Sequence, residues 1–218
     1  MLSIILLTYN RPMYAEKTLK SVLRNLKYSG ERHVHIADDG TPMPNYIQWL
    51  CDIAQDCGAD HVTWSNAERS GYGGNYNLAC QTAHRGATAV LPLEDDWELT
   101  REFNIDPIVA ALDVFGCIRC GYVGYTQQLR GEFVSHGGYH WLKFDPDSPE
   151  PHIFAGHPRI ETVEWARSVG PWPVGMDPGA TEFAVAHRPA ARQNVAWPVD
   201  LIPPSGGLFA HVGTIRSY

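Results

Sequence analysis

The sequence predicts an α/β fold built on an open, mainly parallel sheet flanked by helices. Apolar, strand-like runs alternate with segments of helical periodicity over the first hundred residues, and this alternation favours parallel strands joined by right-handed crossovers. Polar residues follow the end of each apolar run. The chain has 218 residues, of which 44% are hydrophobic and 19% charged, enough for one compact domain with a proper core.

The first predicted strand is the continuous apolar run LSIILL at residues 2–7. Its lack of polar alternation is typical of a strand covered on both faces. TYNRP at residues 8–12 ends the strand, and Pro12 then lies near the start of a helix. The apolar residues with helical spacing are Ala15, Leu19, Val22, Leu23 and Leu26.

Three further strands follow in the first hundred residues. HVHIADDG at 33–40 predicts the second strand, and a helix over 46–57 comes next. HVTWS at 61–65 predicts the third strand, and GGNYNLACQTAH at 73–84 the helix after it. ATAVLPLEDD at 87–96 predicts the fourth strand.

The second half has weaker periodicity. A helix is predicted from Ile105 to Gly116, with Ile108, Val109 and Leu112 on the same face as Ile105. GYVGYTQQL at 121–129 predicts another strand. Gly, Pro, His and Trp crowd residues 136–178, which we interpret as loops and short strands with one helix near 160–169. We expect a substrate-facing cap built onto the sheet, and not a separate domain.

Composition and charge disfavour several classes of protein. The formal net charge is −7 and no basic run is present, so long-range attraction to nucleic acid is disfavoured, although a local basic groove stays open. Five cysteines include one CIRC at 117–120 without a second pair at metal-ligand spacing, which disfavours zinc and favours reduced, buried thiols. The start lacks the features of a signal peptide, and no segment approaches the roughly 20 apolar residues of a membrane span. We therefore expect a cytoplasmic protein without stable membrane insertion.

Polar groups meet where the predicted strands end. In an open parallel sheet, ligands bind outside the carboxyl ends of the strands. The most charged end is the block Glu94, Asp95 and Asp96. Three uncompensated carboxylates repel one another and favour a cation, and Mg²⁺ or Mn²⁺ is often held by carboxylates together with substrate phosphates. A solvated acidic loop, or acids favoured by a helix N-terminus, is the alternative.

The glycine-rich turn SGYGGN at 70–75 is a weaker signal. It fails as a dinucleotide fingerprint, because Tyr76 occupies the last glycine position and the turn follows the wrong strand. The sequence also lacks a P-loop motif. We interpret the turn as a tight entry into a helix, which leaves a ligand contact open.

Four motifs in order resemble the glycosyltransferases of the GT-A fold, most closely glycosyltransferase family 2. They are SIILLTYNRP at 3–12, ADDGT at 37–41, AERSGYGGNYNLA at 67–79 and LEDDW at 93–97, the DXD-type motif. The resemblance implies one GT-A domain over 1–218. Residues 1–100 would be its nucleotide-sugar-binding half, and residues 101–218 its loop-rich, acceptor-binding half. It also implies inverting transfer from a nucleotide-diphosphate sugar to an acceptor hydroxyl, with Mn²⁺ or Mg²⁺.

The resemblance carries roles to individual positions. Thr8 and Asp39 would hold the nucleotide base, with Asp38 beside it and Arg69 near the base or phosphates. Asp95 would reach the ribose, Asp96 would bind the metal, and Glu94 would shape the motif. The implied nucleotide-sugar-binding residues are Thr8, Tyr9, Asn10, Arg11, Asp38, Asp39, Arg69, Gly74, Asn75, Glu94, Asp95 and Arg216.

The acceptor side resembles the family less closely. GATEFAVAHR at 179–188 places Glu182 at the family's catalytic base, but Thr181 replaces the acid that usually precedes it, so Asp177 is a second candidate. A helix first-turn acid is the structural alternative for Glu182. His211 would be a further metal ligand, or a structural histidine, and Arg216 would pair with diphosphate oxygens.

The segment between the two halves supplies aromatic and histidine side chains for an acceptor platform, although core packing must account for several of them. They are His136, His140, Trp141, Trp165 and Trp172.

The donor base and the acceptor stay open. The donor is a UDP- or GDP-sugar, and the acceptor a glycan, a protein, a lipid-linked sugar or a modified nucleobase. A sugar nucleotidyltransferase is disfavoured, because TYNRPMYAEK follows the first strand in place of a glycine-rich basic loop. A catalytically inactive nucleotide-sugar-binding domain is the other alternative, because of Thr181.

Overall fold

The computed structural model describes residues 1–121, 130–154, 156, 158–202 and 207–213. Its strands are β1 (Leu2–Thr8), β2 (Leu26–Lys27), β3 (Arg32–Asp38), β4 (His61–Asn66), β5 (Ala89–Glu94), β6 (Trp97–Leu99), β7 (Phe103–Asn104), β8 (Cys117–Arg119), β9 (Gly131–His136), β10 (Tyr139–Phe144), β11 (Arg159–Glu161), β12 (Val195–Pro198) and β13 (Phe209–His211). Its α-helices are α1 (Pro12–Asn25), α2 (Tyr46–Asp56), α3 (Gly71–Ala83), α4 (Asp106–Ala110), α5 (Val163–Val169) and α6 (Pro178–Ala186).

Nine of the strands form one sheet, in the order β4-β3-β1-β5-β11-β8-β12-β10-β9. The first four strands of this order run parallel. Beyond β5 the sheet is mixed: β8 and β12 are parallel, and the other pairs are antiparallel. The predicted α/β fold with a mainly parallel sheet flanked by helices is confirmed, and its continuous four-stranded parallel part comes from the first hundred residues.

The elements at the start of the chain form where the apolar pattern places them. All seven residues of β1 are buried, as expected of a strand covered on both faces. Helix α1 begins at Pro12 and buries Ala15, Leu19, Val22 and Leu23. Leu26 is also buried, but it begins β2 because the helix has ended at Asn25.

Some predicted boundaries in the second half are wrong. The helix predicted at 160–169 begins at Val163, because residues 159–161 form the inner strand β11. The Thr162 side chain accepts a hydrogen bond of 3.0 Å from the Trp165 N–H and fixes the start of α5. The helix predicted from Ile105 is the short α4 followed by a 3₁₀ turn at Ala111–Asp113. Nearly all of the strand predicted at 121–129 lies outside the described residues.

The aromatic residues predicted as an acceptor platform divide into two groups. Trp141, Trp165 and Trp172 are all buried in the core, so core packing accounts for them. His136 lies 3.2 Å from Asp113, and the exposed His140 bonds to Asp200. The histidines alone stay near the surface.

Two sequence expectations concern redox state and membranes. All five cysteines are free, and Cys51, Cys117 and Cys120 are buried. Within the described ranges, no helix combines the length and apolarity that a bilayer crossing requires.

Candidate active site

The register of the parallel strands places their carboxyl ends side by side. Thr8 pairs with Asp38 across β1 and β3, and Leu7 pairs with Glu94 across β1 and β5. A cavity of about 400 Å³ lies at this edge of the sheet. It is lined by Leu7, Thr8, Tyr9, Arg11, Asp39, Arg69, Ser70, Gly71, Tyr72, Asn75, Glu94, Asp95, Gly175, Met176 and Pro178.

The acidic motif is compensated by a cation from the same chain, contrary to the sequence expectation. Arg11 places Nη1 3.0 Å from Asp95 Oδ1 and Nη2 2.8 Å from Asp96 Oδ2. The Thr8 hydroxyl donates to Asp95 Oδ2 at 3.0 Å, and the Tyr46 hydroxyl bonds to Thr8 Oγ1 at 2.6 Å. Asp95 is therefore held from two sides, and its separation from Arg11 by 84 positions explains why the sequence did not reveal the pairing.

Asp96 and His211 form the predicted metal-binding end of the site. Strand β13 pairs with β6 so that His211 lies opposite Trp97, and its Nε2 is 3.3 Å from Asp96 Oδ2. Asp96 Oδ1 is buried without a hydrogen-bond partner among the described residues. Those residues contain no group of three or more His, Cys, Asp or Glu arranged for a metal. A carboxylate and an imidazole fit Mn²⁺ or Mg²⁺ when substrate phosphates and water complete the coordination.

Burial raises the pKa values of two acids in the motif. Burial raises the pKa of Glu94 to about 8, and the negative charges of Asp96, Glu182 and Asp95 add to the shift. Burial also raises the pKa of Asp95 to about 7, with Arg11 opposing the shift and Asp96 adding to it. Burial is the main cause of both pKa shifts, and the neighbouring carboxylates add to it. A divalent cation would offset that added negative charge.

Of the residues predicted near the nucleotide base, Thr8, Asp39 and Arg69 line the cavity, beside Tyr9. The Arg69 guanidinium lies 3.5 Å from the centroid of the Tyr9 ring. Asp39 accepts hydrogen bonds from the Ser70 N–H at 2.7 Å and the Gly71 N–H at 3.0 Å, and so fixes the turn into α3.

Asp38, the last residue of β3, and Asn10, in the loop after β1, do not line the cavity. The Asp38 carboxylate accepts from the Thr41 N–H at 2.9 Å and from its hydroxyl at 2.5 Å. The Asn10 N–H donates to Thr41 Oγ1 at 2.8 Å. Their shared contact with Thr41 joins the loop after β1 to the loop after β3.

The glycine turn contributes Ser70, Tyr72 and Asn75 to the cavity lining. Asn75 donates to the Ala37 carbonyl at 2.8 Å, while its Oδ1 is buried without a partner in the described structure. Gly74 is packed elsewhere, since a Cβ there would lie 2.4 Å from the Ser70 Cβ. A Cβ at Gly73 would lie 2.0 Å from the Pro173 carbonyl oxygen, so this position requires glycine.

Glu182 lies on α6, close to Glu94. Its carboxylate accepts a hydrogen bond from the Gly156 N–H. A Cβ built at Gly156 would lie 3.2 Å from Glu182 Oε1 and 3.7 Å from Glu94 Oε1, so both carboxylates approach the same backbone position. Thr181 is fully buried, and an acid there would lose its hydration.

The second candidate base, Asp177, caps the start of α6. Its side chain accepts from the Ala180 N–H at 3.0 Å, and so satisfies a free helix-terminal donor. Arg188 donates to the Val169 carbonyl at 2.9 Å and the Pro171 carbonyl at 2.8 Å, and so fastens the segment before α6. Arg216 lies outside the described residues.

Sequence reasoning missed three contributors to the site. Tyr72 and Met176 line the cavity, and Tyr46 supports Thr8 from helix α2. Tyr72 lies inside the glycine turn, whose spacing was the available signal. Tyr46 and Met176 occupy ordinary helix and loop positions, which carry no such signal.

The chain is similar in fold to several solved structures. Solved structures that it matches include S. aureus TarS 1–349 in complex with UDP-GlcNAc, at 16% identity, TM-score 0.67, and 99% and 61% coverage of this chain and that one. GalNAc-T7 with UDP, GalNAc and Mn²⁺ matches at 15% identity and a TM-score of 0.63, and the match covers 91% of this chain and 42% of that chain. Mannosyltransferase PcManGT from Pyrobaculum calidifontis in complex with GDP-Man and Mn²⁺ matches at 16% identity and a TM-score of 0.53, and the match covers 94% of this chain and 58% of that chain.

This chain therefore spans less than two thirds of each of these solved chains. No curated protein matches it in sequence. The model of the family described as Glycosyl transferase family 2 matches residues 3–155. Since this match covers well over half of the 218 residues, the chain belongs to glycosyl transferase family 2.

Proposed function

We propose that this protein transfers a sugar from a nucleotide-diphosphate sugar to an acceptor hydroxyl, with Mn²⁺ or Mg²⁺ and with inversion. The observation that carries the proposal is the acidic end of β5. Asp95 borders a cavity of about 400 Å³, and the buried Asp96 Oδ1 beside it has no partner among the described residues. UDP-GlcNAc in TarS and GDP-Man with Mn²⁺ in PcManGT support this class of donor.

The donor would bind along the carboxyl ends of the parallel strands. Tyr9 and Arg69 offer a flat surface to the base, and Thr8 and Asp39 offer polar groups beside it. Asp95 would meet the ribose. Asn75 Oδ1, buried and without a partner in the described structure, would accept a hydrogen bond from the donor. Arg216 is proposed for the diphosphate from sequence alone.

Asp96 and His211 would hold the metal ion, which, when bound, supplies positive charge that stabilises the leaving nucleoside diphosphate. Glu182 would accept the proton of the acceptor hydroxyl. The hydroxyl oxygen then attacks the anomeric carbon on the face opposite the leaving diphosphate, and this inverts the configuration. The Gly156 N–H bond orients the Glu182 carboxylate for this step.

The two halves would divide the work. Residues 1–100 would bind the donor, because most of the cavity lining comes from them. Residues 101–218 would bind the acceptor, because Glu182 and the segment before α6 lie on that side. A glycan, a protein, a lipid-linked sugar and a modified nucleobase are the acceptor classes to test.

Assays of hydrolysis and transfer over UDP- and GDP-sugars, with Mn²⁺, Mg²⁺ or EDTA, test the proposal. We expect Asp96→Ala to lower kcat by at least about 100-fold, because charge on the leaving group loses its counterion. Glu182→Gln should lower kcat by about 10²- to 10⁴-fold with donor affinity retained. Glu98→Gln is the matched control, because Glu98 pairs with Lys17 at 3.0 Å outside the cavity.

Wild-type rates in Asp96→Ala would refute the metal role, and wild-type rates in Glu182→Gln would refute the base. Donor binding without hydrolysis or transfer for every tested sugar would favour the inactive binding domain. Thr181, in place of the family's usual acid, is the feature that favours this second candidate.

A further inference from the structure

Arg11 forms a fork that contacts both acids of the metal-binding motif. It occupies the N-cap position of α1 and places one guanidinium nitrogen 3.0 Å from Asp95 Oδ1 and the other 2.8 Å from Asp96 Oδ2. Only 14% of its side chain is exposed. Its Nε is buried without a hydrogen-bond partner among the described residues. Arg11 also lines the cavity proposed for the donor.

The guanidinium competes with a metal for the same carboxylate oxygen. Asp96 Oδ2 contacts Arg11 and lies 3.3 Å from His211 Nε2, the other candidate metal ligand. Two cations on one carboxylate in a buried site would repel strongly. The packing is also close: a Cβ at Gly213 would lie 2.2 Å from Asp96 Oδ2 and 2.7 Å from Arg11 Nη2. A metal held between Asp96 Oδ2 and His211 therefore requires Arg11 to leave that oxygen. A metal on Oδ1, which has no partner among the described residues, would still face the positive charge of Arg11 across the same carboxylate.

Arg11 needs a new anion when it leaves. Asp95 would still pair with Nη1, but the Nη2 that leaves Asp96 would be buried without a partner among the described residues. Burying an unpaired donor of a charged group is costly, so displacement by a metal alone is unfavourable. A diphosphate in the adjoining cavity would offer the paired oxygens that guanidinium binds well. The metal and the diphosphate would then each favour the binding of the other, which is a positive coupling between two ligands.

We propose that Arg11 is an internal counterion that makes metal binding depend on the diphosphate. In the absence of ligand it pairs with both Asp95 and Asp96 and offsets part of their negative charge, and when metal and donor bind together it transfers to the diphosphate. This inference rests on the proposed function, since it assumes that a donor diphosphate binds in the cavity beside Arg11. It makes Arg11 a donor-contacting residue whose effect on metal binding is measurable without turnover.

Calorimetric or electron paramagnetic resonance titration with MnCl₂, without and with saturating UDP or GDP, tests the proposal. We expect Arg11→Gln to bind Mn²⁺ alone about tenfold or more tightly than the wild type, because the competing cation is gone. The gain in Mn²⁺ affinity on adding nucleotide should be smaller in Arg11→Gln by about the same factor. Lys17→Gln is the matched control: it removes a positive charge from the same helix at an exposed pair with Glu98, and should titrate like the wild type.

Equal or weaker Mn²⁺ binding by folded Arg11→Gln, in the absence of nucleotide, would overturn the proposal. If Arg11→Gln does not fold, Arg11→Lys replaces it, since a lysine keeps the charge but cannot span both carboxylates. It should show intermediate coupling, and wild-type coupling in it would also overturn the proposal. Failure of the wild type to bind UDP or GDP at any metal concentration refutes the proposed function instead, while the Mn²⁺-only comparison still decides whether Arg11 competes.

Discussion

Acidification should destabilise this protein through a histidine buried in the parallel part of the sheet. His35 on β3 is 0% exposed. Its Nδ1 lies 2.8 Å from Thr63 Oγ1 and its Nε2 2.9 Å from Ser65 Oγ, both on the edge strand β4. Burial lowers the pKa of His35 from 6.5 to about 4, and the charge of His33 contributes further.

The sign and size of the effect follow from proton linkage. Between pH 6.5 and 4 the unfolded chain binds a proton at His35 that the folded chain does not, so the free energy of unfolding decreases as the pH falls. Shifts of this size remove about 1 kcal/mol at pH 5.5 and about 3 kcal/mol at pH 4 and below. Burial also lowers the pKa of His33, which acts in the same direction.

Urea unfolding at pH 7.5, 5.5 and 4.5 measures the effect. We expect His35→Gln to remove most of the His35 contribution, so the stability difference between wild type and variant should shrink or reverse as the pH falls. His187→Gln, at an exposed position on the C-terminal side of α6, should run parallel to the wild type. Parallel pH curves for wild type and His35→Gln would refute the reasoning, because they would mean that His35 titrates alike in both states.

Three further outcomes can be checked. Gly73→Ala should destabilise the fold by about 1–3 kcal/mol in urea unfolding, because the new methyl would strike the Pro173 carbonyl oxygen, 2.0 Å away; a variant within error of the wild type contradicts this. Arg159→Met should lower the free energy of unfolding by about 3–5 kcal/mol, because it removes the cation that pairs with the fully buried Glu161 at 2.6 Å and leaves that carboxylate with the neutral Tyr76 hydroxyl. Adding Glu161→Gln should recover part of that loss, and additive losses would contradict the pairing. Treatment with EDTA should abolish transfer while the Tm of the nucleotide-free protein stays unchanged, and a large drop in Tm would indicate a structural metal instead.

The first hundred residues could be predicted from the sequence because their central strands are long, continuous apolar runs. Strands β1 and β5 are continuous apolar runs, and their polar ends must meet once the strands are parallel. The sequence therefore places Thr8, Asp39 and Asp95 at one edge, as the structure does. It could not show that Arg11 would bridge the acids, because pairing between side chains of two strand ends depends on rotamers rather than on pattern.

The second half could not be predicted to the same degree, because its strands are short. Strands β8, β11 and β13 have three residues each, too few for alternation to be read. Strand β11 gains its identity from pairing with β5 and β8, which are distant in sequence. The roles of Glu182, Asp96 and His211 stay predictions, although the structure brings Asp96 and His211 within 3.3 Å.

The complete burial of β1 raises the question of what prevents it from slipping along its neighbours. When both faces are apolar, a shift by one residue exchanges one set of hydrophobic side chains for another and is weakly penalised. Two polar contacts near the ends remove that freedom: Ser3 bonds to His33 at 3.0 Å, and Thr8 bonds to Asp95 at 3.0 Å. Slippage in either direction would break both hydrogen bonds and leave buried polar atoms without partners. The hydroxyls of Ser3 and Thr8 thus fix the register of β1, and the Thr8 hydroxyl also holds Asp95 of the acidic motif in position.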